Sequence, residues 1–553
     1  MRELVTRLTQ AAVGKYVSEG KIQAGDVVGI DVERPRAKSF GDWSTNAAMV
    51  LAKQAKRNPM EIAEALTEYL STETAVFKSV EAVRPGFINF RFSDKYLNDS
   101  LADIAKLGDS FGTCDVGRGE KVQIEFVSAN PTGPLHVGHG RWAAVGDALA
   151  NVMSAAGYDI QREFYVNDFG NQMDVFGVSV AARYAQLLGI DEAVPEEGYH
   201  GAYVTEIAQE IIDSEGEKYL AHPAEKRHDI FRRHAEEQVI EHIKRVLSTF
   251  NVVFDVWFSE RSLHKAGAID KTVARLKKLG RAYDKDGAIW VRTTEFGDDK
   301  DRVVIKENGQ PTYFAADIAY HIDKFARGFD RVINIWGADH HGYVARMKAA
   351  VAALGYEPDR LEVIIGQLVN LYRNGEPVRM SKRTGEMVTF EELVQEVGPD
   401  VARYLFLTRS TDSALDFDIE LAKKQSQDNP VYYVQYAHAR ICSILRYACD
   451  QGAESLGQNE VPVMLTEEAE LDLIKQLLSL RETVEDAAIL RAPYRLTKYA
   501  EETAAAFHYF YTKCRVVGDD KALTKARLNL VECTRIVLQN ALALIGVSAP
   551  ESM

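Results

Sequence analysis

The stretch VQIEFVSANPTGPLHVGHGRWAAVGDALANVM, residues 122–153, constrains the fold more than any other part of this chain. An apolar, strand-like run ends in a proline-containing loop, which leads into an alanine-rich helix opening with His136 and His139. The pattern recurs. DIQREFYVND follows as a second strand, RVINIWGADH leads into a helix from about Tyr343, and LEVIIGQLVNLYR reads as one further strand. Strands alternating with helices at this spacing predict a parallel sheet with crossover helices. In such a sheet ligands sit beyond the carboxyl ends of the strands. There a helix N-terminus presents free N–H groups and the positive end of its dipole.

The remaining sequence arranges itself around that core. A chain of 553 residues exceeds what one hydrophobic core serves, so several domains are expected. Residues 1–110 mix helical periodicity with short strands such as GFINFRFS and predict an α+β domain. Within it, GDWSTNAAMVLAK reads as a turn, a Ser/Thr cap and an apolar helix. The glycine-rich, polar stretch Leu107 to Lys121 marks the first boundary. Residues 111–427 form the Rossmann-like parallel-sheet domain, interrupted by a charged helical insert at about 175–250. Residues 428–553 carry no convincing strand and predict an all-α bundle.

Five cysteines without a CxxC pair argue against a disulfide framework and against structural zinc. His340 and His341 are adjacent, which suits neither a helical nor a strand metal face, so no metal bound by Cys or His is expected. The first residues intersperse charges with apolar groups, and no stretch approaches a membrane span. A cytoplasmic protein without a membrane partner is expected. The net charge of −15 opposes a polyanionic partner at long range. Phosphate contacts, however, need only a local basic stripe.

His136 and His139, three residues apart in a helix, share one face, and Gly138 between them lets a flat ring lie against the backbone. Two imidazoles and helix N–H groups aimed at one spot suit a phosphate whose charge grows during reaction. The competing reading is a helix start whose glycines only permit close packing. A second constellation is EPVRMSKRTGEMVTFEEL, in which Met380, Ser381 and Lys382 lie in a short basic loop after a turn signal. Such a loop can close over a leaving pyrophosphate, although alone it reads as a solvated turn.

HxGH followed by an MSK loop resembles the class I aminoacyl-tRNA synthetases; RMSKR departs from that class's KMSKS at its first and last positions and keeps the second lysine, Lys382. Eight blocks sharpen the resemblance to arginyl-tRNA synthetases of the bacterial type. They are FGDWSTNAAMVLAK, VSANPTGPLHVGHGR, FYVNDFGNQM, YHGAY, FDVWFSERS, YFAADIAYH, RMSKRTGE and DNPVYYVQYAHAR, in that family's order. The resemblance implies that His136, His139 and Lys382 stabilise transition-state charge while arginine's carboxylate attacks the α-phosphate of ATP. The terminal ribose of tRNA(Arg) then attacks the arginyl-adenylate. Mg²⁺ would accompany ATP, no zinc is implied, tRNA would bind before adenylation, and a monomer is expected.

The same resemblance sets Asp317 and Glu260 against arginine's guanidinium, with Tyr313 on the face of Asp317 if that segment is helical. A guanidinium suits such planar acceptors because it cannot shed its charge. Ser128, Asn130 and His136 would take the α-amino and carboxylate groups. Glu125 is either a supporting acid or a strand-end salt-bridge partner. Gly337 and Asp339 would meet the ribose of ATP beside Gly138, and Asp339 and His341 are either ligand contacts or capping groups. For RNA, residues 1–110 would hold the tRNA elbow and the C-terminal bundle would read the anticodon. Tyr432, Tyr436 and Arg440 form one aromatic–basic face, and Arg491, Arg495 and Lys498 a basic stripe. The competing reading buries the aromatics and solvates the charges. Two other function classes are weighed. A dehydrogenase needs GxGxxG where this loop has histidines, and a catalytically silent RNA-binding relative would have lost His136, His139 or Lys382. A class I synthetase for a different amino acid is the remaining alternative.

Overall fold

Strands with one apolar face build the N-terminal module of the computed structural model, which describes residues 1–21, 29–378, 388–453 and 463–553. β1 (Val32–Glu33), β2 (Trp43–Thr45), β3 (Phe77–Val83) and β4 (Phe87–Phe92) form a four-stranded antiparallel sheet in the order β1-β2-β4-β3. Phe77, Phe90 and Phe92 are buried on its inner face, beneath helices Ala47–Ala55 and Pro59–Leu70. The expected capped helix begins later than its sequence suggested. Trp43–Thr45 pair with β4 as a buried strand, and the helix starts at Ala47, whose N–H donates to Thr45 Oγ1.

β5 (Lys121–Glu125), β6 (Asp159–Val166) and β7 (Val256–Ser259) open the second domain. A small antiparallel sheet of β8 (Ala282–Lys285), β9 (Ala288–Val291) and β10 (Arg302–Ile305) follows, and then β11 (Arg331–Gly337) and β12 (Leu361–Gly366). The central sheet is five-stranded, in the order β12-β11-β5-β6-β7, with every pair parallel. The chain enters at β5, works outward to β7 on one side, and returns to fill the other side with β11 and β12. The connections therefore diverge between β5 and β11, which opens a crevice at their carboxyl ends. Helices Asn171–Leu187, Ala202–Glu215 and Ala224–Thr249 supply the helical insert between β6 and β7.

LEVIIGQLVNLYR is two strands rather than one. After β12 the chain turns at Gly366, where a Cβ would come within 1.9 Å of the Trp142 ring. β13 (Val369–Arg373) then joins β14 (Glu376–Pro377) and β15 (Leu415–Asp418) in a separate sheet. Beyond lie the bundle helices Pro430–Asp450, Glu468–Leu478, Leu480–Ile489, Tyr494–Lys513 and Lys521–Leu544. The N-terminal module docks on this bundle. Asn98 exchanges two hydrogen bonds with the Leu465 backbone, at 2.8 and 3.0 Å, and Asn540 donates to the carbonyls of Gly108 and Phe111. No helix among the described residues is long and apolar enough to cross a membrane.

Buried arginines lock the helix Val137–Ala155 into this frame. Arg141 donates to the carbonyls of Gln367, Ser410 and Ser413. Arg403, 1% exposed, pairs with Asp147 on that helix and donates to the carbonyls of Phe250 and Ile545. Gly546 must be glycine here, since its φ is +68° and a Cβ would fall within 2.4 Å of the Arg403 guanidinium.

Candidate active site at the carboxyl ends of β5 and β11

A cleft of about 2350 Å³ opens at the crevice between β5 and β11. Its floor begins where β5 ends. Val127 and Ser128 take φ of +68° and +40°, a left-handed turn costly for a β-branched residue. Ser128 Oγ holds this turn by donating to Glu125 Oε1 at 2.9 Å and accepting from the Tyr165 N–H at 3.1 Å. Asn130, also on the cleft wall, bonds Gln172 and Asn167.

His136 is the N-cap of the helix Val137–Ala155, and the two histidines cap each other. The His139 N–H donates to His136 Nδ1, and the His136 N–H donates to His139 Nδ1 at 3.2 Å. The rings stack with centroids 3.6 Å apart. With each Nδ1 accepting, the ring proton sits on Nε2, an assignment made from the hydrogen-bond network. The helix thus ends in imidazole donors as well as backbone N–H groups, which suits an anion. Gly138 gives that stack room, since a Cβ would sit 3.0 Å from His136 Cε1, a tight contact.

Across the cleft, Gly337, Asp339 and His340 follow β11 on the wall, whereas His341 is exposed and off it. Neighbouring residues in a single 3₁₀ turn point in different directions, so His340 rather than His341 borders the site. Met380, Ser381 and Lys382 lie outside the described residues. The chain that follows them returns to the histidines. Thr389 forms an antiparallel bridge with His136, and the Phe390 N–H donates to the Leu135 carbonyl at 2.8 Å.

Asp317, on the helix Tyr313–Ala326, lies deep on the cleft wall and accepts from the Tyr343 hydroxyl. Burial raises its carboxyl to about 6, with the Glu125 charge adding to the shift and the Tyr343 bond opposing it. Glu260 is 4% exposed and does not line the cleft, whereas Tyr165, with which it interacts electrostatically, does. Burial, and then the charge of Asp317, push Glu260 to about 7. Glu260 is thus expected against the guanidinium but is found off the cleft wall, which Tyr165 lines. Tyr313 departs further. Its segment is helical as required, but as first residue of the helix its ring is 69% exposed, beside Gly170 and off the wall.

Glu125 takes the salt-bridge alternative. It accepts from the fully buried Lys324 ammonium, which also donates to Asn334 Oδ1 at 2.9 Å. Asn334 Nδ2 donates to His321 Nε2, and His321 Nδ1 donates to the Asp317 carbonyl, each at 2.7 Å. Burial holds His321 down to about 3, so it serves as a neutral link. Sequence reasoning missed Tyr165, Trp336 and Tyr343. Tyr165 alternates with buried Phe164 and Val166 at the carboxyl end of β6, a signal that was available.

In the bundle, Tyr432 and Tyr436 stack at 6.1 Å and 11°, and Arg440 lies 5.1 Å over Tyr511. That face is aromatic, basic and partly open. The basic stripe is not a stripe. Arg491 precedes its helix and pairs with Glu362 of β12 at 3.2 Å, across the domain junction. Arg495 is half-buried along Tyr494, and Lys498 is exposed near Glu502.

A parallel strand leading through a loop into a helix that opens on stacked histidines, at the mouth of a cleft, is the arrangement of class I aminoacyl-tRNA synthetases. Residues 107–426 match the family described as tRNA synthetases class I (R), catalytic domain. Residues 434–553 match the DALR anticodon binding domain, and residues 5–92 the arginyl tRNA synthetase N terminal domain. The arginine–tRNA ligase of Moorella thermoacetica is 51% identical over 100% of this chain and 99% of its own, and that of Geobacillus thermodenitrificans is 50% identical over the same shares. A putative arginyl-tRNA synthetase structure from Campylobacter jejuni is 35% identical with a TM-score of 0.76, covering 84% of this chain and 100% of its own. The Thermus thermophilus arginyl-tRNA synthetase, at 22% identity, covers 100% of both chains with a TM-score of 0.76 and shares the fold. The chain belongs to the arginyl-tRNA synthetase family.

Proposed function

We propose that the protein activates L-arginine with ATP, releases diphosphate, and transfers the arginyl group to the terminal ribose of tRNA(Arg). The observation that carries the choice of arginine is the half-buried Asp317 on the cleft wall, with the buried Glu260 close enough to feel its charge, each carboxyl pushed up by burial. A permanently charged guanidinium relieves that repulsion. Ser128, Asn130 and His136 hold the amino acid's other end, Gly337 and Asp339 the ribose, and His136, His139 and Lys382 the phosphates. No group of three or more His, Cys, Asp or Glu among the described residues is arranged to hold a metal. Mg²⁺ is carried on the nucleotide's phosphates. Domains 1–110, 111–427 and 428–553 serve elbow binding, chemistry and anticodon reading, in a monomer. ATP–pyrophosphate exchange tests the reading. Exchange should require arginine and rise with tRNA; none with arginine, with or without tRNA, would overturn it.

Asp317→Asn removes one charge from the pocket and should weaken arginine by about 2–4 kcal/mol. Lysine, whose compact ammonium cannot bond planar carboxylates bidentately, should lose less, so discrimination narrows. The measurement is kcat/KM for adenylate formation with each amino acid at saturating tRNA. Unchanged arginine turnover would remove Asp317 from the pocket.

Arg440→Ala should weaken tRNA binding at every salt concentration and reduce the magnitude of the salt slope by about one. Arg491→Ala should instead leave the slope unchanged and loosen the junction at Glu362. Equal slopes in Arg440→Ala and wild type would make that face ordinary solvated surface.

A further inference from the structure

We infer that Tyr343 is a specificity-positioning residue: its hydroxyl fixes Asp317 Oδ2 and so orients the carboxylate that receives arginine's guanidinium. The inference rests on the arginine reading of this pocket. Its geometry is specific. The Tyr343 hydroxyl donates to Asp317 Oδ2 at 2.5 Å, and among the described residues no hydrogen bond ends on Oδ1. The carboxylate plane is thus set from one side, with Oδ1 left for a ligand.

The tyrosine is itself held rigidly. Its ring meets Phe314 edge-on at 6.0 Å, tilts against Trp336 at 5.9 Å, and carries the Arg346 guanidinium 4.8 Å above it. Tyr343 closes the 3₁₀ turn that begins at Ala338, the turn that also presents Asp339 to the cleft. One turn therefore orients both the acid for the amino acid and the carboxylate facing the nucleotide side.

The charges around this contact are mixed. Glu125 from β5 and the buried Glu260 oppose ionisation of Asp317 or are opposed by it, while His340 from the 3₁₀ turn and Lys324 from the same helix favour ionisation. The Arg346 guanidinium lies over the tyrosine's ring, and the charge of Arg302 also acts on it. Among these the Tyr343 bond is the direct hydrogen bond that favours ionised Asp317. Removing it raises the Asp317 carboxyl further, so less of it is ionised at a given pH. The acid limb of kcat/KM for arginine must then move to higher pH, and the defect must shrink as pH rises.

Tyr343→Phe keeps the ring and removes only the donor. Pyrophosphate exchange at saturating tRNA and ATP is measured from about pH 6 to about pH 9 for wild type, Tyr343→Phe and Asp317→Asn. The expected result for Tyr343→Phe is an arginine KM raised about tenfold, with kcat and the ATP KM within about twofold of wild type. Its acid limb should shift upward by up to about one unit, and discrimination against lysine should narrow. A merely structural role would lower kcat and disturb the ATP KM without moving the limb, and that result overturns the inference. So does a wild-type arginine KM with an unmoved limb in Tyr343→Phe while Asp317→Asn is defective. If Asp317→Asn itself keeps wild-type arginine kinetics, the pocket reading fails, and the role of Tyr343 fails with it.

Discussion

His139→Ala is expected to slow adenylate formation about a hundredfold or more, the usual cost of losing a donor aimed at developing charge. Arginine affinity should stay within about twofold, because the guanidinium pocket is built from other residues. Two contributions are mixed in this variant. One is the Nε2 donor toward phosphate; the other is the Nδ1 acceptor that caps the His136 N–H. Losing a cap costs about 1 kcal/mol of helix stability. His139→Asn separates them, since an asparagine oxygen can replace Nδ1 as the cap but cannot reach as far as Nε2. The rate should remain as low as in the alanine variant while thermal stability recovers. Near-wild-type exchange in both variants would show that His139 only starts the helix.

Arg403→Met should destabilise the protein by about 3–5 kcal/mol, because breaking a buried pair leaves its partner charge uncompensated. Arg162, 3.1 Å from Asp147, keeps part of that charge paired and draws the expectation toward the lower figure. The carbonyls of Phe250 and Ile545 also lose their donor. Arg403→Lys keeps the charge but not the fork, and should restore only part of the loss. The double variant Arg403→Met, Asp147→Leu should be more stable than Arg403→Met alone, since the orphaned carboxylate is gone. Denaturant unfolding followed in both the sheet domain and the bundle measures this. A midpoint equal to wild type in Arg403→Met would make the guanidinium's contacts incidental.

What the sequence disclosed follows from the range of each interaction. The parallel sheet was legible because the 2 and 3.6 periodicities are local. The mutual cap of His136 and His139 was half legible: their shared face follows from spacing, whereas the bonding between Nδ1 and N–H needs the ψ of the N-cap. β8–β10 were missed because each strand is only four residues long, too short for its alternation to stand out. Arg491 misled because its partner, Glu362, is 129 residues away, a pairing that no helical spacing encodes. Glu260, expected to face the guanidinium, lies off the cleft's lining. Chemistry alone named a carboxylate, and only packing shows that Tyr165 lines the cleft while Glu260 does not.

The bond from Arg403 to the Ile545 carbonyl has a consequence for biosynthesis. Domains of a growing chain tend to fold in order of emergence from the ribosome. Here the helix Val137–Ala155 carries Asp147, the partner of Arg403, and the last of the Arg403 hydrogen bonds goes to a carbonyl synthesised 142 residues later. The sheet domain can collapse as soon as β12 is made, but one of its buried cations stays incompletely bonded until the last bundle helix has closed. A nascent or truncated chain ending before Ile545 should therefore carry a loosened helix Val137–Ala155, even though the whole sheet domain is already present.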